Sequence, residues 1–218
     1  MKTDKLLSRI IIYCVGIALI AVGVSLAIRS DLGISPNSAV PYAMTLVTGM
    51  DIFYTNTIFS LALIAMEFVI LRKDASWTIL LQIICVLLFS SLLGISNNLF
   101  SFIVPANYFM QILLCLGGAV FIALGIYLYV VASLISMPAE GIVQAIDKKT
   151  RFNFSTIKVI LDCTYVIIAA VVCLICTGEL KSVREGTIIL AVSVGPIIRC
   201  YSLMFDKFFI KHGFKEKK

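Results

Sequence analysis

Residues 10–28 read IIIYCVGIALIAVGVSLAI, an uncharged apolar run bounded by charged residues at Arg9 and Arg29. Roughly 20 mostly apolar residues in a helix cross the hydrocarbon core of a bilayer. Lys2, Lys5 and Arg9 precede the run, as in a signal peptide. The run is longer than a typical signal core, however, and no clear small-x-small cleavage site ends it. The stretch therefore predicts a retained membrane-spanning helix.

Five further stretches are long and apolar enough to span a membrane. With the first, the predicted spans cover residues 8–28, 54–72, 78–96, 110–132, 156–177 and 186–205. Membrane β-barrels show segments of about ten alternating residues, whereas these runs are longer and continuous. Only 14% of the 218 residues are charged, against about a quarter in soluble domains. The sequence predicts an all-α, polytopic membrane protein forming a single membrane domain over 1–218.

The basic residues predict the orientation of the spans. With six spans and an internal N-terminus, thirteen lysines and arginines fall on the inside and three on the outside. The positive-inside rule then places both termini in the cytoplasm. A basic cytoplasmic tail over 206–218 is expected to lie near anionic headgroups. The net charge of +6 therefore indicates a lipid bilayer as partner, and no nucleic acid is expected.

The sequence matches itself without a gap at an offset of 102 residues. Its most informative pairs are Gly16 with Gly118, Gly23 with Gly125, and Pro36 with Pro138. Apolar helices share Leu and Ile by composition alone, so the glycines and prolines count for more. We predict repeats over 8–103 and 110–205; three spans in each require the second to be inverted, as in many secondary transporters. Close helix approach is expected at the small residues of the two leading helices, namely Gly16, Gly23, Gly117, Gly118 and Gly125.

A short segment that begins with proline follows the first span of each repeat, over 36–48 and 138–148. Proline is favoured at the first helical position, and 13 residues reach only about 20 Å. Three arrangements stay open: re-entrant helices whose N-termini lie near the midplane, interfacial helices, or crossing helices that give eight spans and parallel repeats. Crossing short helices would weaken the charge bias to eleven basic residues inside against five outside.

Polar residues inside the spans are the candidates for handling a solute, because charge in a membrane is costly. Lys158 and Asp162 lie four residues apart on one helix face, and the offset maps them to Asn56 and Ser60. Asp162 is expected to pair with Lys158 or with Arg199; Lys158 could also snorkel towards the interface. The predicted substrate-binding set comprises Pro36, Asn37, Ser38, Asn56, Ser60, Pro138, Glu140, Lys158, Asp162 and Arg199.

The first turn of the second short helix contains an acid, Glu140, where the first has Ser38. Free N–H groups at helix starts attract anionic groups. The acidic side chain of Glu140 complicates this expectation for the second short helix. It could cap its own helix, bind the cationic end of a zwitterion, or carry a coupling proton. Glu67 extends the stripe of Asn56 and Ser60 on its helix.

The sequence offers little for catalysis or metal binding. Cys173 and Cys176 form a C-x-x-C without a second pair or a nearby histidine, so helix packing is the favoured role. The only histidine is His212. No catalytic residue, metal or cofactor is expected, and the chain is not expected to be an enzyme.

Four short motifs resemble the YczE/YyaS/YitT group of bacterial membrane proteins. They are DLGISP at 31–36, VPY at 40–42, GT at 186–187 and VGP at 194–196. The resemblance spans nearly the whole chain. It implies a bacterial plasma-membrane location and a transporter-like role, without a substrate or catalytic residues.

The leading hypothesis is a secondary transporter of a small organic solute, with its site near the midplane between inverted repeats. A non-transporting accessory or scaffold protein is the main alternative. A membrane-embedded enzyme would need a convergent set of catalytic groups, and a channel would need a selectivity ring. The sequence shows neither, and it does not indicate the oligomeric state.

Overall fold

The computed structural model describes residues 3–211 and residue 214, and these residues form no strand. Within these bounds the α-helices are, in chain order, α1 (Thr3–Ser30), α2 (Pro36–Thr48), α3 (Ile52–Leu71), α4 (Thr78–Leu99), α5 (Tyr108–Ala132), α6 (Pro138–Lys149), α7 (Phe154–Thr177) and α8 (Glu185–Lys211). We call α1–α4 the first half and α5–α8 the second half. The prediction of an all-α fold is confirmed.

Six helices, all except α2 and α6, are long and apolar enough to cross a membrane. This confirms the number and positions of the predicted spans, with ends that differ by a few residues. The largest difference is in α8, which continues to Lys211. Residues 206–211 of the predicted tail are therefore helical, and the rest of the tail, Phe214 apart, lies outside the described residues.

The short helices begin and end where local chemistry favours it. Pro36 and Pro138 occupy the first positions of α2 and α6, where the missing N–H costs nothing. Gly49 ends α2 at φ +71°, a left-handed conformation that glycine adopts without strain. Asp51 then caps α3 by accepting a 2.8 Å hydrogen bond from the Phe53 backbone N–H. The predicted limits of both short helices therefore agree with the structure.

The central contact of the fold joins α1 and α5 through their glycines. A Cβ atom on Gly23 would lie 2.7 Å from the Gly118 carbonyl oxygen, and one on Gly125 would lie 2.5 Å from that of Gly16. Early residues of α1 meet late residues of α5, so the two helices are antiparallel. The predicted close approach is confirmed at these four glycines. It is wrong for Gly117, where a Cβ atom would meet nothing within 4 Å.

The remaining helix contacts follow a reciprocal pattern. α2 packs on α7 and α3 packs on α6, while α4 packs on α1 and α8 packs on α5. Exchanging the two halves turns the α2–α7 contact into the α6–α3 contact, and it turns the α4–α1 contact into the α8–α5 contact. Reciprocal contacts and antiparallel leading helices are what inverted repeats require, although the duplication itself stays a prediction. The largest contact without a counterpart joins α4 to α3, since α8 does not pack along α7 in the described part of the chain.

A contact between loops argues against the eight-span arrangement. Lys149, at the end of α6, forms an ion pair with Asp74 in the turn between α3 and α4. Crossing short helices would put these two residues on opposite sides of the membrane. Six spans put them on the same side, which agrees with the six helices of sufficient length.

Candidate functional site

The starts of the two short helices meet at a small cavity that is also lined by α3 and α4. Its volume is about 30 Å³, which is enough for one or two water molecules. α2 contributes Asn37, α3 contributes Asn56 and Ser60, and α6 contributes Pro138. The structure therefore brings together four of the residues predicted from sequence, from both halves of the chain. We call this space the central cavity.

Two asparagines give the central cavity its polarity. The Asn56 side chain is buried and donates a 2.8 Å hydrogen bond from Nδ2 to Ser90 Oγ of α4. Asn37 Oδ1 is buried without a hydrogen-bond partner among the described residues. An unsatisfied buried oxygen is costly, so a donor entering the cavity would be favoured. Ser38 is buried one residue further along, and its Oγ accepts a 3.4 Å bond from Ser35 Oγ.

A larger groove of about 380 Å³ lies on the other side of the α6 start. Its walls come from the end of α5, the start of α6 and the start of α7. The polar and aromatic side chains of its lining are Tyr129, Ser133, Ser136, Glu140, Gln144, Phe154 and Lys158. We call this space the α5–α7 groove. Because Pro138 lines the central cavity and Glu140 lines the groove, one turn of α6 separates the two spaces.

Two of the charged residues predicted for the second half, Glu140 and Lys158, line the α5–α7 groove, and a third, Asp162, is paired with Lys158. The Glu140 carboxylate accepts a hydrogen bond from the Tyr129 hydroxyl. Lys158 Nζ lies 2.6 Å from Asp162 Oδ1, which confirms the expected ion pair. When ionised, these three side chains carry a net charge of minus one. Arg199 does not join them, since it lies on the exposed side of α8.

A third polar contact contains two residues that the candidate set omits. Glu67 of α3 is only 5% exposed and accepts a 3.0 Å hydrogen bond from Gln82 Nε2 of α4. Gly141 of α6 lies directly against both side chains. The polar stripe on α3 already pointed to Glu67. Gln82 gave a weaker signal, as an amide within the apolar first turns of α4, and its contact with Glu67 depends on packing that no local pattern encodes.

Comparison with known proteins places the chain in a family. A family described as "Family of unknown function (DUF6198)" matches residues 7–203. The chain belongs to the DUF6198 family. Membership agrees with the resemblance to YczE and YyaS, since both are among its relatives.

The relatives of this DUF6198 chain are bacterial proteins described as uncharacterised. YczE of Bacillus subtilis, an "uncharacterized membrane protein", is 27% identical over 90% of this chain and 86% of its own length. YyaS of Bacillus subtilis is also 27% identical, over 63% of this chain and 69% of its own length. An uncharacterised Haemophilus influenzae protein is 24% identical over 85% of this chain and 79% of its own length. No solved structure matches the chain. The membrane assignment therefore has support from both the helices and a relative.

Proposed function

We propose that this DUF6198 protein is a secondary transporter of a small organic solute that carries a cationic group. It would act in the bacterial plasma membrane, with both termini in the cytoplasm, and the solute would cross chemically unchanged. One observation carries the proposal: the starts of α2 and α6, from opposite halves, meet at a small cavity that also contains the polar side chains of Asn37, Asn56 and Ser60. Secondary transporters commonly bind solutes at such interrupted helix starts, between two repeats.

The charges of the α5–α7 groove indicate the class of solute. Glu140 is hydrogen-bonded to an uncharged tyrosine, whereas the Lys158 ammonium is already paired with Asp162. The groove therefore offers a carboxylate to an entering solute more readily than it offers a cation. An ammonium group on the solute would gain a charge-assisted hydrogen bond, which is stronger than a neutral one. The groove serves as the cytoplasmic vestibule in this proposal.

The size of the two spaces favours a transporter over a continuous channel. The central cavity has room for only one or two water molecules, while the groove is more than ten times larger. A solute that fits the groove cannot pass the central cavity unless the helices around it move. Such alternation between a wide and a closed space is characteristic of transporters that rock one group of helices against another.

Flux in proteoliposomes tests the proposal. A thermal-shift screen of small amines, zwitterions and carboxylates first selects solutes that raise the apparent stability of the purified protein. Solutes that bind are then measured for uptake by the wild type and by Glu140→Gln. Loss of a hydrogen bond to a charged group costs about 1.5–3 kcal/mol, so affinity should fall about ten- to hundredfold.

Glu179→Gln is the matched control, because Glu179 is an exposed acid in the loop between α7 and α8. It removes the same charge outside the groove and should leave uptake unchanged. The proposal fails if no candidate solute moves and Glu140→Gln has no more effect than this control. Binding confined to carboxylates would contradict the proposed solute class.

A further inference from the structure

α8 is the least buried of the six candidate spans, and its exposed face has a buried counterpart in the first half. The offset of 102 pairs Val86 of α4 with Ile188 of α8, and Ser90 with Val192. Val86 is 2% exposed while Ile188 is 69% exposed; Ser90 is 0% exposed while Val192 is 67% exposed. The α4 face that packs on α3 therefore corresponds to an α8 face that the described part of the chain leaves mostly exposed.

The opposing helix shows the same difference. On α3, the stripe that faces α4 contains Asn56, Ser60 and Ile64, all buried. The equivalent residues of α7 are only half-buried, namely Lys158, Asp162 and Val166. Both sides of the missing α7–α8 contact are thus more open than both sides of the α3–α4 contact. The two halves differ in the position of one helix relative to its neighbour.

The open contact lies beside the α5–α7 groove. In the first half, the residues equivalent to part of the groove wall are Leu32, Ile34 and Ile52, and they are buried in one cluster with Leu93 of α4 and Leu190 of α8. Leu93 corresponds to Gly195 of α8. A Cβ atom on Gly195 would meet nothing within 4 Å. Leu32 and Ile34 are covered by the start of α8 and the loop before it, where the Gly186 N–H donates to the Leu32 carbonyl oxygen. Beside Ile52, however, α4 occupies a space whose equivalent beside Phe154 belongs to the groove.

We propose that α8 is the gate of the α5–α7 groove. It closes by packing along α7 as α4 packs along α3, while it keeps its contact with α5. The purpose of this gate depends on the proposed function. Its geometry is inferred from the packing difference between the two halves. Gly195 has no side chain where α4 has Leu93, so a closed α8 would leave room in the groove for an enclosed solute.

Side-chain sizes at the proposed contact are complementary. In the first half, the large Phe53 lies against Gly94, and a Cβ atom on Gly94 would be 3.2 Å from Phe53 Cβ. The equivalent residues are Ser155 of α7 and Pro196 of α8. The smaller residue of the pair is therefore on α7 in the second half, whereas in the first half it is Gly94 on α4. Closure by the α3–α4 geometry would bring the Cβ atoms of Ser155 and Pro196 close to the roughly 3.5–4.5 Å that a disulfide needs.

Disulfide trapping of the full-length protein in liposomes tests the gate. The background lacks the three exposed cysteines Cys163, Cys176 and Cys200. The gate pair is Ser155→Cys with Pro196→Cys, and the control pair is Phe53→Cys with Gly94→Cys. Under copper-phenanthroline oxidation, the control pair should form a disulfide at once, because its helices are already in contact. The gate pair should form one more slowly, within a single chain.

A probe in the groove shows what closure does. Ser136→Cys, added to the gate pair, is labelled with a water-soluble maleimide before and after oxidation of the pair. Closure should cause loss of labelling, and dithiothreitol should restore it. Monodisperse elution of each reduced variant, measured first, ensures that the protein is folded. The proposal is overturned if the control disulfide forms and the gate disulfide does not, or if the gate cysteines link only two different chains.

Flux separates this inference from the proposed function. If the gate disulfide forms and prevents labelling of residue 136, but the reduced protein transports no solute, the gate is supported and the transport proposal is contradicted. If a solute is still transported while the gate is locked, the gate is wrong and transport stands.

Discussion

At the scale of single residues, the close contact of Gly141 with the Glu67 and Gln82 side chains gives a testable prediction. A Cβ atom at position 141 would collide with the Glu67 carboxylate and lie 2.9 Å from Gln82 Nε2. Overpacking a tight interior costs about 1–3 kcal/mol. We expect Gly141→Ala to lower the apparent melting temperature, and to lower it much less when combined with Glu67→Ala. A thermal melt of the four proteins in the double-mutant cycle measures this coupling; additive shifts would contradict it.

A second residue-scale prediction concerns pH. The ion pair with Lys149 holds the pKa of Asp74 below its ordinary value, chiefly through their hydrogen bond. A depressed folded-state pKa stabilises the protein above the unfolded-state pKa, and this contribution is lost as the pH falls through the folded-state value. We expect Asp74→Asn to lower the melting temperature slightly at pH 7 and not at all in strong acid.

The Asp74 effect should be small because the pair is exposed, and exposed pairs contribute little. Melting curves of wild type and variant from neutral to acid pH measure it. Lys149→Met should give the same pH-dependent difference, since it removes the other partner. A difference that stays constant with pH would show that the pair is not its source.

At the scale of elements, the glycines of α1 and α5 allow a matched comparison. Gly23→Val would force a side chain into the Gly118 backbone, which cannot move aside without separating the two helices. Gly117→Val, one residue away on the same helix as Gly118, adds the same side chain into open space. We expect the first variant to lose thermal stability or fail to fold, and the second to behave as wild type. Equal melting temperatures for the two variants would rule out close α1–α5 packing.

The elements were largely predictable because their signals are local. Hydropathy located the six spans, and Pro36 and Pro138 located the starts of α2 and α6. Span ends were less accurate because they depend on caps and tertiary contacts: α3 begins at Ile52 because Asp51 caps it. The mistake at Gly117 has a similar cause, since sequence spacing does not show which of two adjacent glycines faces the partner helix.

At the scale of the whole molecule, the sequence predicts more symmetry than the structure has. The offset of 102 makes α4 and α8 equivalent, so no pattern in the chain indicates that one packs on its neighbour and the other does not. The α5–α7 groove, which depends on this difference, was therefore beyond sequence analysis, although two of its charged residues, Glu140 and Lys158, were among the candidates. A helical pattern identifies which residues are polar within a span. The relative positions of whole helices decide which of those residues share a space.

The orientation of the molecule in the membrane is the last testable point. The ion pair between Lys149 and Asp74 places the α3–α4 turn and the end of α6 on one face, and the positive-inside rule predicts that this face is cytoplasmic. Residue 50, in the turn between α2 and α3, must then lie outside. Single cysteines, Met50→Cys and Ser76→Cys, are introduced at exposed positions in a background without exposed native cysteines. An impermeant maleimide added to intact cells should label residue 50, and should label residue 76 only after permeabilisation. The opposite labelling pattern would mean that the protein has the opposite orientation, with the α5–α7 groove as an external vestibule. Labelling of both residues in intact cells would indicate molecules inserted in both orientations.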